Sequence, residues 1–191
     1  MSKKKIDESV FLEAIRTLIH PEDKVIVLYS GIWSFANNLD FKNKNIIKTM
    51  LKILEKFVTN KRTLILPSFS DKFVIKNNYF KLDSSIDNIG VIPKEALKSK
   101  KYYRTPQPLH SYLVLGKDVS KVKKLKLKTS WGKTSIFDFI SKSNARICNL
   151  GLNWNRGCSY LHRYEELTNV PWRYFKKFKF KMYRNKKFLG F

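Results

Sequence analysis

Two short, unbroken apolar runs constrain this chain more than any other feature: Val25-Ile26-Val27-Leu28 and Leu64-Ile65-Leu66. Each is too short for a core helix, and each stops at small or turn-forming residues, Ser30-Gly31 in one case and Pro67-Ser68 in the other. That combination reads as two strands buried on both faces, Lys24 to Tyr29 and Thr63 to Leu66. An amphipathic helical pattern precedes each. Val10, Phe11, Ala14, Ile15 and Leu18 recur at helical spacing from Asp7 to about Leu18, and Ile46 to Val58 places Ile46, Ile47, Met50, Leu51, Leu54, Phe57 and Val58 on one face. Helix, strand, helix, strand is the opening of an α/β layered domain.

The rest of the chain is less regular. Ser70 to Asn88, polar and studded with aromatics, reads as a long loop. A short helix is expected around Pro93 to Lys98, a strand from Ser111 to Leu115, a helix from Ile136 to Ser141, a strand from Ala145 to Gly151 and a helix from about Ser159 to Leu167. From Phe175 to Phe191, Lys alternates with aromatics, which suits a strand with one solvent face, and Tyr183 to Phe188 looks like a hairpin turn.

Charge is the compositional outlier. Against 39 Lys and Arg stand 15 Asp and Glu, a formal net of +24. Such a field attracts polyanions and repels cationic ligands. No apolar run approaches the roughly 20 residues that span a bilayer, and the basic start leads into Ile6-Asp7-Glu8-Ser9 instead of an apolar signal core, so a cytoplasmic protein without a membrane partner is expected. Two cysteines, Cys148 and Cys158, and three histidines form neither a disulfide framework nor a zinc pattern, and no metal is expected.

Five patches, in order, resemble the aminoglycoside 3-N-acetyltransferase (antibiotic N-acetyltransferase) family. Val27 to Phe35 is similar to that family's "VHSSLxxFG", Leu66 to Ser70 to "MPTFT", and Gly90 to Leu97 to "GxxPEALR". Arg104 to Ser111 is similar to "RSxHPxHS", and Gly157 to Glu166 to "TxLHxxE". The last patch is closest to the branch that accompanies polysaccharide assembly. The resemblance implies a three-layer α/β/α fold with a central mixed sheet, distinct from the GNAT acetyltransferases. It also implies acetyl-CoA as co-substrate. Members usually run longer at the C-terminus, so residues 1–191 are read as one N-acetyltransferase domain, either complete or the N-terminal domain of a longer polypeptide.

An amine attacks a thioester only when unprotonated, so the site needs a group that accepts a proton near neutral pH. The resemblance places His162 there, and Glu165, three residues on, shares its helix face and can orient the imidazole. Cys158, four residues before His162, allows a Cys–His pair geometrically, but the family implies no covalent intermediate. Ser30, Gly31 and Ser68 fall at the C-terminal ends of expected strands, where open α/β sheets bind ligands, and the resemblance implies that they and Ser111 are the cofactor contacts. His110, Gln107 and Arg173 are the expected substrate contacts. Two residues depart from the family: Gln107 stands where many members carry a titratable histidine, and Tyr29 stands at another such position.

Because nucleotide-linked amino sugars are anionic and aminoglycosides are polycations, the net charge points to acetylation of a nucleotide-linked amino sugar. Aminoglycoside resistance is the alternative. A basic nucleic-acid-binding module is a third reading, but the basic residues are spread along the chain without a recognisable motif, so nucleic acid is not the expected partner.

Overall fold

A computed structural model describes residues 5–58, 61–84, 86–87 and 89–190. Helix α1 (Glu8–Leu18) starts at Asp7, whose carboxylate accepts the N–H groups of Ser9 and Val10, a cap contributing about 1 kcal/mol. Strand β1 (Val25–Ser30) is buried along its whole length and leads through two single-turn 3₁₀ helices into α2 (Ile46–Phe57). That helix is capped by Asn45 and buries Met50, Leu51, Ile53 and Leu54. Strand β2 (Thr63–Pro67) follows, then α3 (Asp71–Asn77), β3 (Tyr79–Lys81), α4 (Val91–Lys98), β4 (Tyr103–Arg104) and β5 (Tyr112–Gly116). The chain continues through α5 (Val119–Lys123), α6 (Ile136–Lys142), β6 (Arg146–Leu150) and α7 (Leu161–Leu167) to a terminal hairpin, β7 (Lys181–Arg184) and β8 (Lys187–Gly190).

Five strands form one mixed sheet in the order β4-β5-β2-β1-β6, with β1 parallel to β2 and β6, and β5 antiparallel to β2 and β4. Alternation along each strand sends side chains to opposite faces. Ile26, Leu28, Leu64, Leu66 and Leu113 pack with α1, α2 and α4 on one face. Val25, Val27, Tyr29, Ile65, Tyr112 and Val114 pack with Val122 of α5 and with Ile136, Phe137 and Ile140 of α6 on the other. The three-layer α/β/α arrangement read from the sequence is therefore the fold. Burying each large side chain of these layers stabilises it by about 1.5–3 kcal/mol.

The reading of residues 70–88 as a loop is corrected for the described part of that stretch; Ser85 and Asn88 lie outside the described residues. It holds α3, which ends at Asn78 in the left-handed conformation, and β3, which pairs in parallel with β7. The partner strand lies about a hundred residues away in sequence, so no local pattern announces it. Val74, Phe80, Leu82 and Phe180 form the small core beneath this second sheet, β3-β7-β8. The long terminal strand is also corrected. Residues 173–180 have no regular structure, because their Lys/aromatic alternation meets no partner strand until Lys181. The turn within the hairpin is at Asn185 and Lys186, both with positive φ, while Phe191 lies outside the described residues.

Candidate active site

β1, β2 and β6 run parallel, so their C-terminal ends share one edge, and the antiparallel β5 contributes its N-terminal end to the same edge through Pro67 and Tyr112. The Ser68 N–H donates to the Ser111 carbonyl there at 2.9 Å. Expected cofactor residues thus converge, but with different roles. The Ser68 and Ser111 side chains are wholly buried, and Arg104, itself buried, donates from Nε to both hydroxyls at 3.2 and 3.1 Å. These two serines brace the edge from beneath. Burial pulls the Arg104 guanidinium down to about 9, against the opposing pull of Asp83 and Asp87. A Cβ at Gly31 would press on the Leu152 side chain, which would have to shift, where the exits of β1 and β6 meet. Ser30 keeps its ligand-binding potential, since its hydroxyl is buried without a hydrogen-bond partner. Just beyond it, an open groove of about 590 Å³ is lined by Ile32, Trp33, Ala36, Leu39, Ile46 and Val91.

Tyr29, at the position where the resemblance expects histidine, turns inward. Its hydroxyl lies 3.0 Å from that of Tyr112, and burial pushes its ionisation up to about 12, so it stays neutral.

The remaining expected residues gather around a side chain that sequence reasoning missed, Trp131. Its ring is edge-on to His162 at 5.0 Å and tilted against His110 at 4.4 Å, and the Arg173 guanidinium lies 5.8 Å from its centre. His162 Nδ1 is 2.8 Å from Glu165 Oε2. That same oxygen accepts Arg173 Nε at 2.7 Å and Nη2 at 2.5 Å. The hydrogen bonds from His162 and then Arg173 hold the Glu165 carboxyl below the usual range. Arg173, expected to meet substrate, is thus committed to the carboxylate that faces His162, as a positioning partner.

His110 Nδ1 lies 3.0 Å from Ser130 Oγ, which also accepts Gln107 Nε2 at 3.1 Å, while Gln107 Oε1 accepts the His110 N–H. Gln107 is therefore buried scaffolding for His110. Burial, with help from His162 and Arg173, lowers His110 to about 4, leaving it a neutral imidazole at physiological pH.

Arg163 and Asp138 complete the group missed by the sequence reading. Buried Arg163 donates Nη2 to Asp138 Oδ1 and Nη1 to the Trp131 carbonyl, both at 2.6 Å, tying α7 and the Trp131 loop to α6. Burial opposes the Asp138 charge, but Lys142, the Thr134 N–H and Arg163 outweigh it and hold the carboxyl below its usual range. The one available sequence signal is Trp131-Gly132, an isolated aromatic in a lysine-rich loop.

A histidine whose Nδ1 faces a carboxylate, beside a second, neutral histidine at the sheet edge where β1, β2 and β6 end, is an arrangement able to accept a proton. The family model described as aminoglycoside 3-N-acetyltransferase matches residues 38–188. The chain belongs to that family. Its enzyme class is N-acetyltransferase. No curated protein sequence matches. Among solved structures, the YokD protein from Bacillus subtilis is similar with a TM-score of 0.74 and 15% identity, over 95% of this chain and 78% of that one. An AAC-IIIb binary structure with CoASH gives 0.77 and 15%, covering 97% and 74%. A histidine-to-alanine variant of AAC(3)-IVa in complex with a gentamicin gives 0.74 and 15%, covering 99% and 70%.

Proposed function

We propose that this chain, as a single N-acetyltransferase domain over residues 1–191, transfers the acetyl group of acetyl-CoA to an amino group of an aminoglycoside-type amino sugar. In this reading His162 is the general base and Glu165 orients it. The observation that carries it is the 2.8 Å contact between His162 Nδ1 and Glu165 Oε2. A carboxylate at that distance keeps the ring proton on Nδ1, so the Nε2 lone pair takes the proton of the attacking amine. Glu165 then stabilises the imidazolium. As the amine nitrogen bonds to the thioester carbon, the C–S bond breaks and the departing thiolate recovers a proton from the imidazolium. Neutral His110 supplies a hydrogen-bonding group without competing for that proton. The unpartnered Ser30 hydroxyl and the groove beside it are the proposed contacts for the coenzyme.

The acceptor is where this reading departs from the sequence expectation. Net charge favours a nucleotide-linked sugar, but the family and the gentamicin complex of a structural neighbour favour an aminoglycoside. The charge is also locally uneven. Asp87, whose carboxyl is pushed up by burial and by neighbouring Asp71, receives the Lys72 and Phe73 N–H groups; its own N–H meets the carbonyl of Phe69, whose ring packs on His110. The nucleotide-sugar reading keeps one observation in its favour, the +24 field. An acceptor panel with acetyl-CoA separates the two. Acetylation of gentamicin or kanamycin, with nucleotide-linked amino sugars untouched, is the expected result; the reverse pattern overturns the aminoglycoside reading.

A further inference from the structure

From Leu167 onward the chain carries eight Lys and Arg residues and no Asp or Glu. The same stretch exposes aromatics to an unusual degree: Trp172 is 70% exposed, Tyr174 84% and Phe175 82%. The Arg173–Glu165 ion pair fixes this strap against α7, whose own Leu161, Tyr164 and Leu167, at i, i+3 and i+6, are also exposed. Monomeric proteins rarely leave so large an apolar surface uncovered unless something binds it.

We propose that α7 and the strap from Trp172 to Phe178 form a docking surface for an anionic lipid bilayer. The cations of the strap select a polyanion as occupant, since α7 brings only two carboxylates, Glu165, already paired with Arg173, and Glu166, and the apolar residues select which polyanion. Trp and Tyr favour the headgroup region, where an apolar ring and a polar edge are both satisfied. Each Lys or Arg near an anionic leaflet adds about 1 kcal/mol of attraction. A single-stranded nucleic acid would use the aromatic faces and the cations, but it has no use for the exposed leucines of α7, which an acyl layer accommodates. A second copy of this chain would bring two cationic straps together and be repelled. The proposal departs from the expectation of no membrane partner, which rests on the lack of a spanning segment. No described helix is long and apolar enough to cross a membrane, but this surface is suited to lie on one. The inference does not depend on the identity of the acetyl acceptor.

The test uses the full chain and co-sedimentation with vesicles of phosphatidylcholine alone or mixed with phosphatidylglycerol, at low and high salt. The expected result is binding to the mixed vesicles at least about tenfold tighter than to phosphatidylcholine and weakened by salt, because the attraction is screened. A Trp172→Ser/Phe175→Ser variant and, separately, a Lys176→Glu/Lys177→Glu variant should each lose about tenfold or more, while keeping the wild-type melting temperature. Both variants change exposed side chains of an irregular segment. Equal binding to the two vesicle types overturns the proposal, as does binding that neither variant weakens. So does tighter binding to a single-stranded oligonucleotide that the aromatic variant abolishes.

Discussion

All six residues of β1, from Val25 to Ser30, are buried, whereas between Pro171 and Lys179 only Arg173 is even half-buried. Both stretches carry large apolar side chains, but the second also carries Arg173, Lys176, Lys177 and Lys179 where β1 has no charge, and the two differ as well in what each has to pack against. β1 lies between β2 and β6 with helices on both faces, and its side chains have no alternative to the core. The strap meets α7 and the Trp131 ring through Arg173 and, at Phe180, joins a four-residue cluster. Stability is therefore expected to reside in the sheet and its helices. Between sheet and strap lies α7, which carries the proposed catalytic pair and is fastened to the core by one buried arginine.

Arg163 is where the comparison is easiest to break. It belongs to the exposed C-terminal part by sequence but is buried against Asp138 and the Trp131 carbonyl. Arg163→Met should cost about 3–5 kcal/mol, the usual penalty for breaking a buried ion pair, and should disorder the Trp131 platform. Urea denaturation checks this, and an unchanged midpoint would mean that α7 is not anchored as described. A loss of comparable or slightly smaller size is expected from Leu54→Ala in α2, about 2–5 kcal/mol by cavity formation, with activity per folded molecule retained because Leu54 itself is buried and does not line the groove to which the first turn of α2 contributes. Activity falling faster than folded fraction would show that core and site are less separable than the contrast implies.

A smaller effect comes from His110. Its folded-state value of about 4 lies below the ordinary 6.5, mainly through burial, so between those limits the unfolded chain binds a proton that the folded chain does not. The stabilisation is present above pH 6.5 and is lost as pH falls toward 4. Between about pH 7 and 5 the loss from this group should be about 2 kcal/mol, and His110→Gln should remove that part of the pH dependence. A wild type and variant with parallel stability-versus-pH curves would contradict the burial of the ring.

What was legible beforehand follows from the range of the contacts. β1, β2 and α2 are written in consecutive residues, and their patterns read correctly to within a residue or two. The His162–Glu165 contact is an i, i+3 pair on one helix and needs no tertiary knowledge to foresee. Trp131, Ser130 and Asp138 lie 20 to 32 residues from the groups they serve, in a loop and a helix whose own sequences give no reason to meet α7. Burial decided the serines. Ser30, Ser68 and Ser111 look alike in sequence, yet Arg104 claims two hydroxyls and leaves the third unpartnered.

The central claim is that one imidazole takes the proton from the attacking amine. Its most direct test is the acetylation rate of His162→Ala with the acceptor that the panel identifies, alongside its melting temperature and its affinity for CoA. A fall of about a hundredfold or more, with melting and CoA binding unchanged, is the predicted result. Near-wild-type turnover by that variant would contradict the account.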